Sequence, residues 1–176
     1  MNTDRNISEV VHPAALAPAD LLAQCRVTRT RGSGPGGQHR NKVETAIVIQ
    51  HQPTGIRGEA SERRSQAENQ KVALVRLRIN LAIETRSEKS SRDEVSALWT
   101  SRIRDGRIHV NPAHDDFPAL LAEALDWLAA HEFNPKSASD KLGCTVSQLI
   151  KFLKRESRAL AHVNENRRLR GLHPLK

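Results

Sequence analysis

Arg31-Gly32-Ser33-Gly34-Pro35-Gly36-Gly37-Gln38-His39-Arg40-Asn41-Lys42 is the stretch from which the rest of the chain is read. Four glycines and one proline crowd residues 32–37. Such a run is excluded from helix and strand interiors, because glycine loses much backbone entropy there and proline has no N–H. It predicts a loop whose backbone can approach another surface with no Cβ in the way. Arg31, Arg40 and Lys42 flank it, which points to an anionic surface. Gln38 follows two glycines, so its amide and the neighbouring backbone N–H groups can be presented at a tip. The phosphate-cradling pattern G-x-x-x-x-G-K-[ST] is absent. Gly32, Gly34 and Gly37 do spell G-x-G-x-x-G, but strand-like sequence follows where that motif needs a helix. Composition alone also leaves open a plain flexible surface loop.

Outward from the loop, the periodicity is first that of strands. Residues 26–31 alternate and are rich in Thr and Arg, which predicts a half-exposed strand with a basic face. The β-branched run 44–50 predicts a second strand, Gln52-Pro53-Thr54-Gly55 a turn, and residues 56–60 the return strand of a hairpin, with Arg57 on its solvent side. From about Ser65 to Thr85 the spacing becomes helical: Val72, Val75, Ile79 and Ala82 share a stripe widened by Leu74, Leu77 and Leu81. Arg63, Arg64, Lys71, Arg76 and Arg78 fall largely off that stripe. Before the first strand, residues 19–25 can form a short helix with Leu21 and Leu22 inward. The expected fold class is α+β, a small antiparallel sheet packed by one long helix, followed by a mostly helical C-terminal module.

The string Ser33-Gly34-Pro35-Gly36-Gly37-Gln38-His39, then Asn41-Lys42, resembles the catalytic loop of class I peptide chain release factors. Pro53-Thr54-Gly55-Ile56, Arg64-Ser65-Gln66 and Asn69 match that family's domain in order and spacing. The resemblance covers roughly residues 18 to 83. It implies hydrolysis of the peptidyl-tRNA ester within the ribosome, with Gly36, Gly37 and Gln38 as the catalytic tip. It implies no cofactor and no metal. By the family's account the Gln38 backbone N–H stabilises the oxyanion, and its side chain places water and excludes larger nucleophiles. Family members carry a methyl group on this glutamine, which implies a glutamine methyltransferase as a partner of Gln38. Ser33, Gly34, Pro35 and Asn41 would support the loop. Arg31, Arg40, Lys42, Arg57 and Arg64, with Lys151 and Arg155 further on, are the candidate RNA contacts.

The chain has 176 residues and a net charge of +8, from 28 Lys+Arg against 20 Asp+Glu. That balance suggests nucleic acid or an anionic surface. Aromatic residues are only 3% of the chain, which disfavours base-stacking platforms and favours phosphate and shape recognition. No apolar run approaches the roughly 20 residues of a membrane span, and no signal-peptide core opens the chain, so a cytoplasmic protein is expected. Cys25 and Cys144 are far apart, and no cluster of Cys or His has ligand spacing.

The expected division is a flexible arm over 1–17, a catalytic domain over 18–86, a linker with a short helix over 87–115, and a helical module with a basic tail over 116–176. Residues 94–103 are expected to be helical. In the module, Asp116 can cap a first helix, residues 137–142 a second closed by Gly143, and Thr145 with Gln148 opens a third. This order resembles a helix-turn-helix. Thirty residues precede Arg31, too few for the helical and stop-codon-reading domains of codon-reading factors. The chain therefore looks closer to the small codon-independent rescue hydrolases, working as a monomer off the ribosome. The second reading is a non-catalytic RNA- or DNA-binding module that uses the C-terminal helices.

Overall fold

A computed structural model describes residues 11–30, 45–87 and 94–176. The apolar, β-branched run after the loop becomes the middle strand of a three-stranded antiparallel sheet. β2 (Ala46–His51) is flanked by β1 (Cys25–Thr30) and β3 (Arg57–Ala60). Thr30 pairs with Ala46 and Cys25 with His51 on one side, and Ile47 pairs with Ala60 and Gln50 with Arg57 on the other. Strand alternation therefore collects Ile47, Ile49, Gly58 and Ala60 on one face, and Arg26, Thr28, Gln50, Arg57 and Glu59 on the opposite face. β3 returns after a turn at residues 52–55, where Gly55 takes φ 73° and the His51 ring bonds Thr54 Oγ1 at 2.8 Å.

The apolar face is covered by α2 (Gln66–Glu84), whose N-cap Ser65 accepts from the Glu68 N–H. The helix approaches β3 very closely at Gly58. A Cβ built there would lie 2.1 Å from the Ala73 carbonyl oxygen and 2.4 Å from the Leu77 nitrogen. The outer edge of β3 is closed by the same helix: Arg76 donates to the Glu59 carbonyl at 2.7 Å and Asn80 to the Arg57 carbonyl at 2.6 Å. These bonds remove the free acceptors that make an edge strand prone to pairing with another chain.

The buried band of α2 differs from the stripe expected from sequence. Asn69, Ala73, Leu77 and Leu81 face inward at every fourth position, whereas Val75 is 40% exposed. Arg78 is only 6% exposed, although it falls off the expected stripe. The reason is that α2 is packed on two sides, by the sheet and by the elements described next. Burial pulls the Arg78 guanidinium below the ordinary arginine value, against the opposing pull of Asp115 and Asp116. Its Nε donates to the Ala14 carbonyl at 3.1 Å.

That bond corrects the expectation of a loose arm for residues 11–17. Pro13–Ala15 forms a 3₁₀ turn with Ala14 fully buried, and the His12 ring lies 3.2 Å from the Thr85 carbonyl. The turn packs against α2 because it supplies the acceptor that a buried guanidinium requires. After it, α1 (Pro18–Ala23) places Leu21 in the core and leads into β1.

The C-terminal half continues the same hydrophobic core. α3 (Ala97–Arg102) leads into a two-residue hairpin, β4 (Ile103–Arg104) and β5 (Arg107–Ile108), turned by Asp105-Gly106 at φ 49° and 67°. α4 (Phe117–Ala130) is buried from Phe117 to Leu128, Glu123 and Asp126 included. It packs on α2 and the 3₁₀ turn. α5 (Pro135–Lys141), α6 (Val146–Leu153) and α7 (Ser157–Leu169) complete the chain. Trp99 meets Phe152 edge-on at 5.8 Å and donates its Nε1–H to the Leu142 carbonyl at 2.8 Å. The region expected as linker is thus partly core, because Trp99, Ile108 and Val110 are all buried.

Four further expectations are refined. Asp116 stands at the N-cap of α4, but its side chain makes no cap bond, because Arg102 engages the carboxylate instead, while His114 Nδ1 accepts from the Asp116 N–H at 3.1 Å. α5 begins at Pro135, two residues before the expected start, because Asn134 caps it by accepting from the N–H groups of Lys136 and Ser137. The third helix is broken after Leu153, and Glu156 caps a new one, α7. The basic end is no free tail. Gly171 at φ 70° turns the chain, Arg167 donates to the carbonyls of Phe133 and His173, and Leu175 pairs with Asn164 through both backbone groups.

Two buried carboxylates one turn apart on α4 hold the flanks of residues 88–93. Asp126 accepts from Arg86 at 3.3 Å and from the Ser87 hydroxyl, and Glu123 accepts from the Ser96 N–H at 2.7 Å. Asp126→Asn is expected to lower stability by about 2 kcal/mol, read by urea unfolding. It removes the counter-charge of Arg86, whose side chain is 26% exposed and so keeps part of its solvation.

Candidate functional site

The sheet sets where the glycine-rich segment begins and ends. β1 ends at Thr30 and β2 starts at Ala46, and these two residues are direct cross-strand partners. Gly36, Gly37 and Gln38 of the expected tip, the supports Ser33, Gly34, Pro35 and Asn41, and the cations Arg31, Arg40 and Lys42 lie outside the described residues.

What the structure does describe is the anchor of the returning strand. Asn69 is fully buried on the sheet side of α2. Its Nδ2 donates to the Thr45 carbonyl at 2.6 Å and to the Arg63 carbonyl at 2.9 Å, and its Oδ1 accepts from the Arg63 N–H at 2.9 Å. Both amide protons and the carbonyl are therefore used. One side chain ties the residue that follows the glycine-rich segment to the turn at 61–65 and to the long helix. That turn is stiffened further by Glu62. The backbone N–H groups of Glu62 and Ser61 hold its carboxyl below the usual range, and Arg76 pairs with it at 2.7 Å.

Asn69 was legible only as part of the family pattern, without a role. A helical register starting at residue 69, with Ala73, Leu77 and Leu81, would have flagged it as a polar residue on an otherwise apolar face. Asn69→Asp keeps the shape and one acceptor but loses both donors. It is expected to cost about 2 kcal/mol in urea unfolding, the range for leaving buried acceptors unpaired. Protease cleavage within residues 31–44 should quicken in the same variant.

The described candidate cations do not converge on one point. Arg64 is exposed on the turn beside the Asn69 anchor. Arg57 is exposed at the other end of β3, on the helix-free face, in one cross-strand row with Gln50 and Arg26. Lys151 is exposed on α6. Arg155 has an internal partner, because its Nη1 donates to the Val110 carbonyl, tying the link after α6 to the segment after β5. Among the described residues no helix is long and apolar enough to cross a membrane.

The comparisons with known proteins bear on the same sheet and helix. Residues 21–112 match the family described as the RF-1 domain. The chain is 38% identical over 89 residues to the chloroplastic peptide chain release factor PrfB1 of Arabidopsis thaliana, covering 47% of this chain and 20% of that protein. It is 43% identical over 93 residues to peptide chain release factor 1 of Albidiferax ferrireducens, covering 52% of this chain and 24% of that one. With peptide chain release factor 1 of Verminephrobacter eiseniae the identity is 32% over 163 residues, which is 90% of this chain and 39% of the relative. The chain thus spans well under half the length of each of these relatives. Its three-stranded sheet, the close seat of α2 at Gly58 and the Asn69 anchor all fall within the matched residues, which make up more than half of the chain, and the chain belongs to the RF-1 domain family.

Proposed function

We propose that this protein hydrolyses the ester of peptidyl-tRNA in the ribosome and releases the nascent peptide without reading a stop codon. The observation that carries the reading is the string Ser33 to Gln38, followed by Asn41 and Lys42, in a chain of this family. Attack of water on the ester carbonyl builds negative charge on oxygen, and a preorganised donor at that point lowers the barrier. The Gln38 N–H is that donor, and the glycines before it remove the side chains that would keep it from a narrow RNA pocket. The Gln38 side chain places the water and excludes larger nucleophiles, and it is the site for N-methylation by a glutamine methyltransferase. The substrate's 2′-hydroxyl and the ribosome relay the proton. Arg31, Arg40, Lys42, Arg57, Arg64 and Lys151 meet RNA phosphates. Arg155 acts chiefly by holding the link after α6 against Val110. The protein works in the cytoplasm as a monomer off the ribosome, and its catalytic unit spans 18–86.

The test is release of labelled peptide from ribosomes stalled on truncated mRNA, compared with ribosomes paused at a stop codon. Release from the truncated complex at least as fast as from the stop-codon complex supports rescue. Release only at the stop codon removes it. No release from either, with tight binding to free nucleic acid, leaves the binding-module reading, for which the short α5, the Gly143 turn and α6 are the relevant elements.

A further inference from the structure

The polar bonds along the outer edge of β3 do not end with α2. Asn80, which donates to the Arg57 carbonyl, also accepts from Arg158 Nη1 at 2.7 Å. Arg158 is the second residue of α7, and its Nε is held by Glu156 at 2.9 Å. Three elements from distant parts of the sequence therefore meet at one amide: the start of β3, the C-terminal part of α2 and the first turn of α7. Arg57 shares its row on the helix-free face with Gln50 and Arg26. On the other side of Arg158, the chain runs back to Lys154, the C-cap of α6, and to Lys151 in its last turn, both exposed.

We infer that Arg26, Arg57, Arg158, Lys154 and Lys151 form one phosphate-binding tract for the backbone of structured RNA. The tract crosses from the sheet to the C-terminal helices at the end remote from Thr30 and Ala46. Four of the five make no ion pair among the described residues, and Arg158 is paired with Glu156 through one side only. Glu59 lies on the same sheet face and makes no ion pair among the described residues. Elsewhere on the surface Lys136 is paired with Asp140 and Arg168 with Glu165, while Arg64 and Lys71 beside the 61–65 turn also make no ion pair among the described residues, so the tract is set apart by the Asn80 link rather than by charge alone. Two further arguments favour RNA backbone over a protein partner. The Asn80 bonds hold the Arg57 backbone and the Arg158 guanidinium in place, and a fixed array suits a stiff lattice of phosphates because little ordering is lost on binding. No aromatic side chain stands among the five cations, so the contacts are to phosphate rather than to stacked bases. The inference deepens the ribosomal reading above and rests on it for the choice of RNA. It gives the C-terminal helices the task of gripping RNA at a distance from the glycine-rich segment.

The test titrates the full chain against a labelled RNA duplex between about 50 and 200 mM salt. Arg26→Gln/Lys154→Gln removes two cations that make no hydrogen bond among the described residues, so the fold is kept. The expected result is a salt slope shallower by about one unit per lost phosphate contact, with unchanged melting. Lys136→Gln/Arg168→Gln, which removes two charges elsewhere, should bind like the parent chain. Arg158→Gln should weaken binding, and Arg158→Lys should largely restore it. Parental slopes in the tract variants, equal losses in the control, or tighter binding of a DNA duplex of the same sequence would each overturn the tract. Gln38→Ala retains the tract and separates the two ideas. Full peptide release by that variant defeats the hydrolase reading alone, and parental slopes in the tract variants defeat the tract alone.

Discussion

Gln38→Ala is expected to lower peptide release by about a hundred-fold, the usual cost of losing the group that holds an attacking water in line. The measurement is single-turnover release from stalled ribosomes at saturating protein. The loss should appear in the maximal rate and not in the concentration needed for half-saturation, because the side chain acts on the attacking water and not on ribosome binding. The backbone N–H survives the substitution, so the size of the loss reports how far the side chain places water. Gly37→Ala adds a Cβ beside the tip and should act in the same direction. Ribosome binding by both variants should remain parental, since the cations assigned to phosphate contact are untouched. Parental release by Gln38→Ala would remove the hydrolase.

Gly58→Ala is expected to cost about 3 kcal/mol, the upper part of the usual range for overpacking a core. The new methyl group would stand 2.1 Å from the Ala73 carbonyl oxygen and 2.8 Å from the Leu77 Cα. These are backbone atoms of a 19-residue helix, so no side-chain rotation can relieve the clash. Either β3 or α2 must shift. Ile49 is the direct partner of Gly58 on β2, and Asn69 lies on the same face of α2, so a shift would be felt at both. For a chain of this size the melting temperature should fall by about 10 °C, checked by calorimetry. Gly55→Ala should cost less. It is strained only by its φ of 73° and meets nothing closer than 4.0 Å. A near-neutral Gly58→Ala would mean that the helix and strand slide apart easily, and the close seat would lose its claim to hold the sheet in place.

Some of the architecture was readable from local chemistry. The strands after the loop follow from β-branched residues that alternate faces, and the turn at 52–55 from Pro, Thr and Gly. The span of the long helix follows from Ser65 as its cap and from polar sequence beyond Thr85. The Thr145 cap and the turn at Gly143 were equally plain. These features are decided by contacts within a few residues, so the sequence by itself determined them, along with the family. The burial of Arg78, the exposure of Val75 and the packing of residues 11–17 were not readable, because a helix covered on two sides has no single apolar stripe. The return of the basic end along α7 depends on Asn164 meeting the backbone of Leu175 in the folded chain. Asn69 and Asn80 show the limit most plainly. Each is one polar residue in a helical sequence, and each acquires its task only when strands and helices far apart in the chain deliver backbone carbonyls to it. Which carbonyls meet which amide is a matter of long-range packing, and only the tertiary structure decided it.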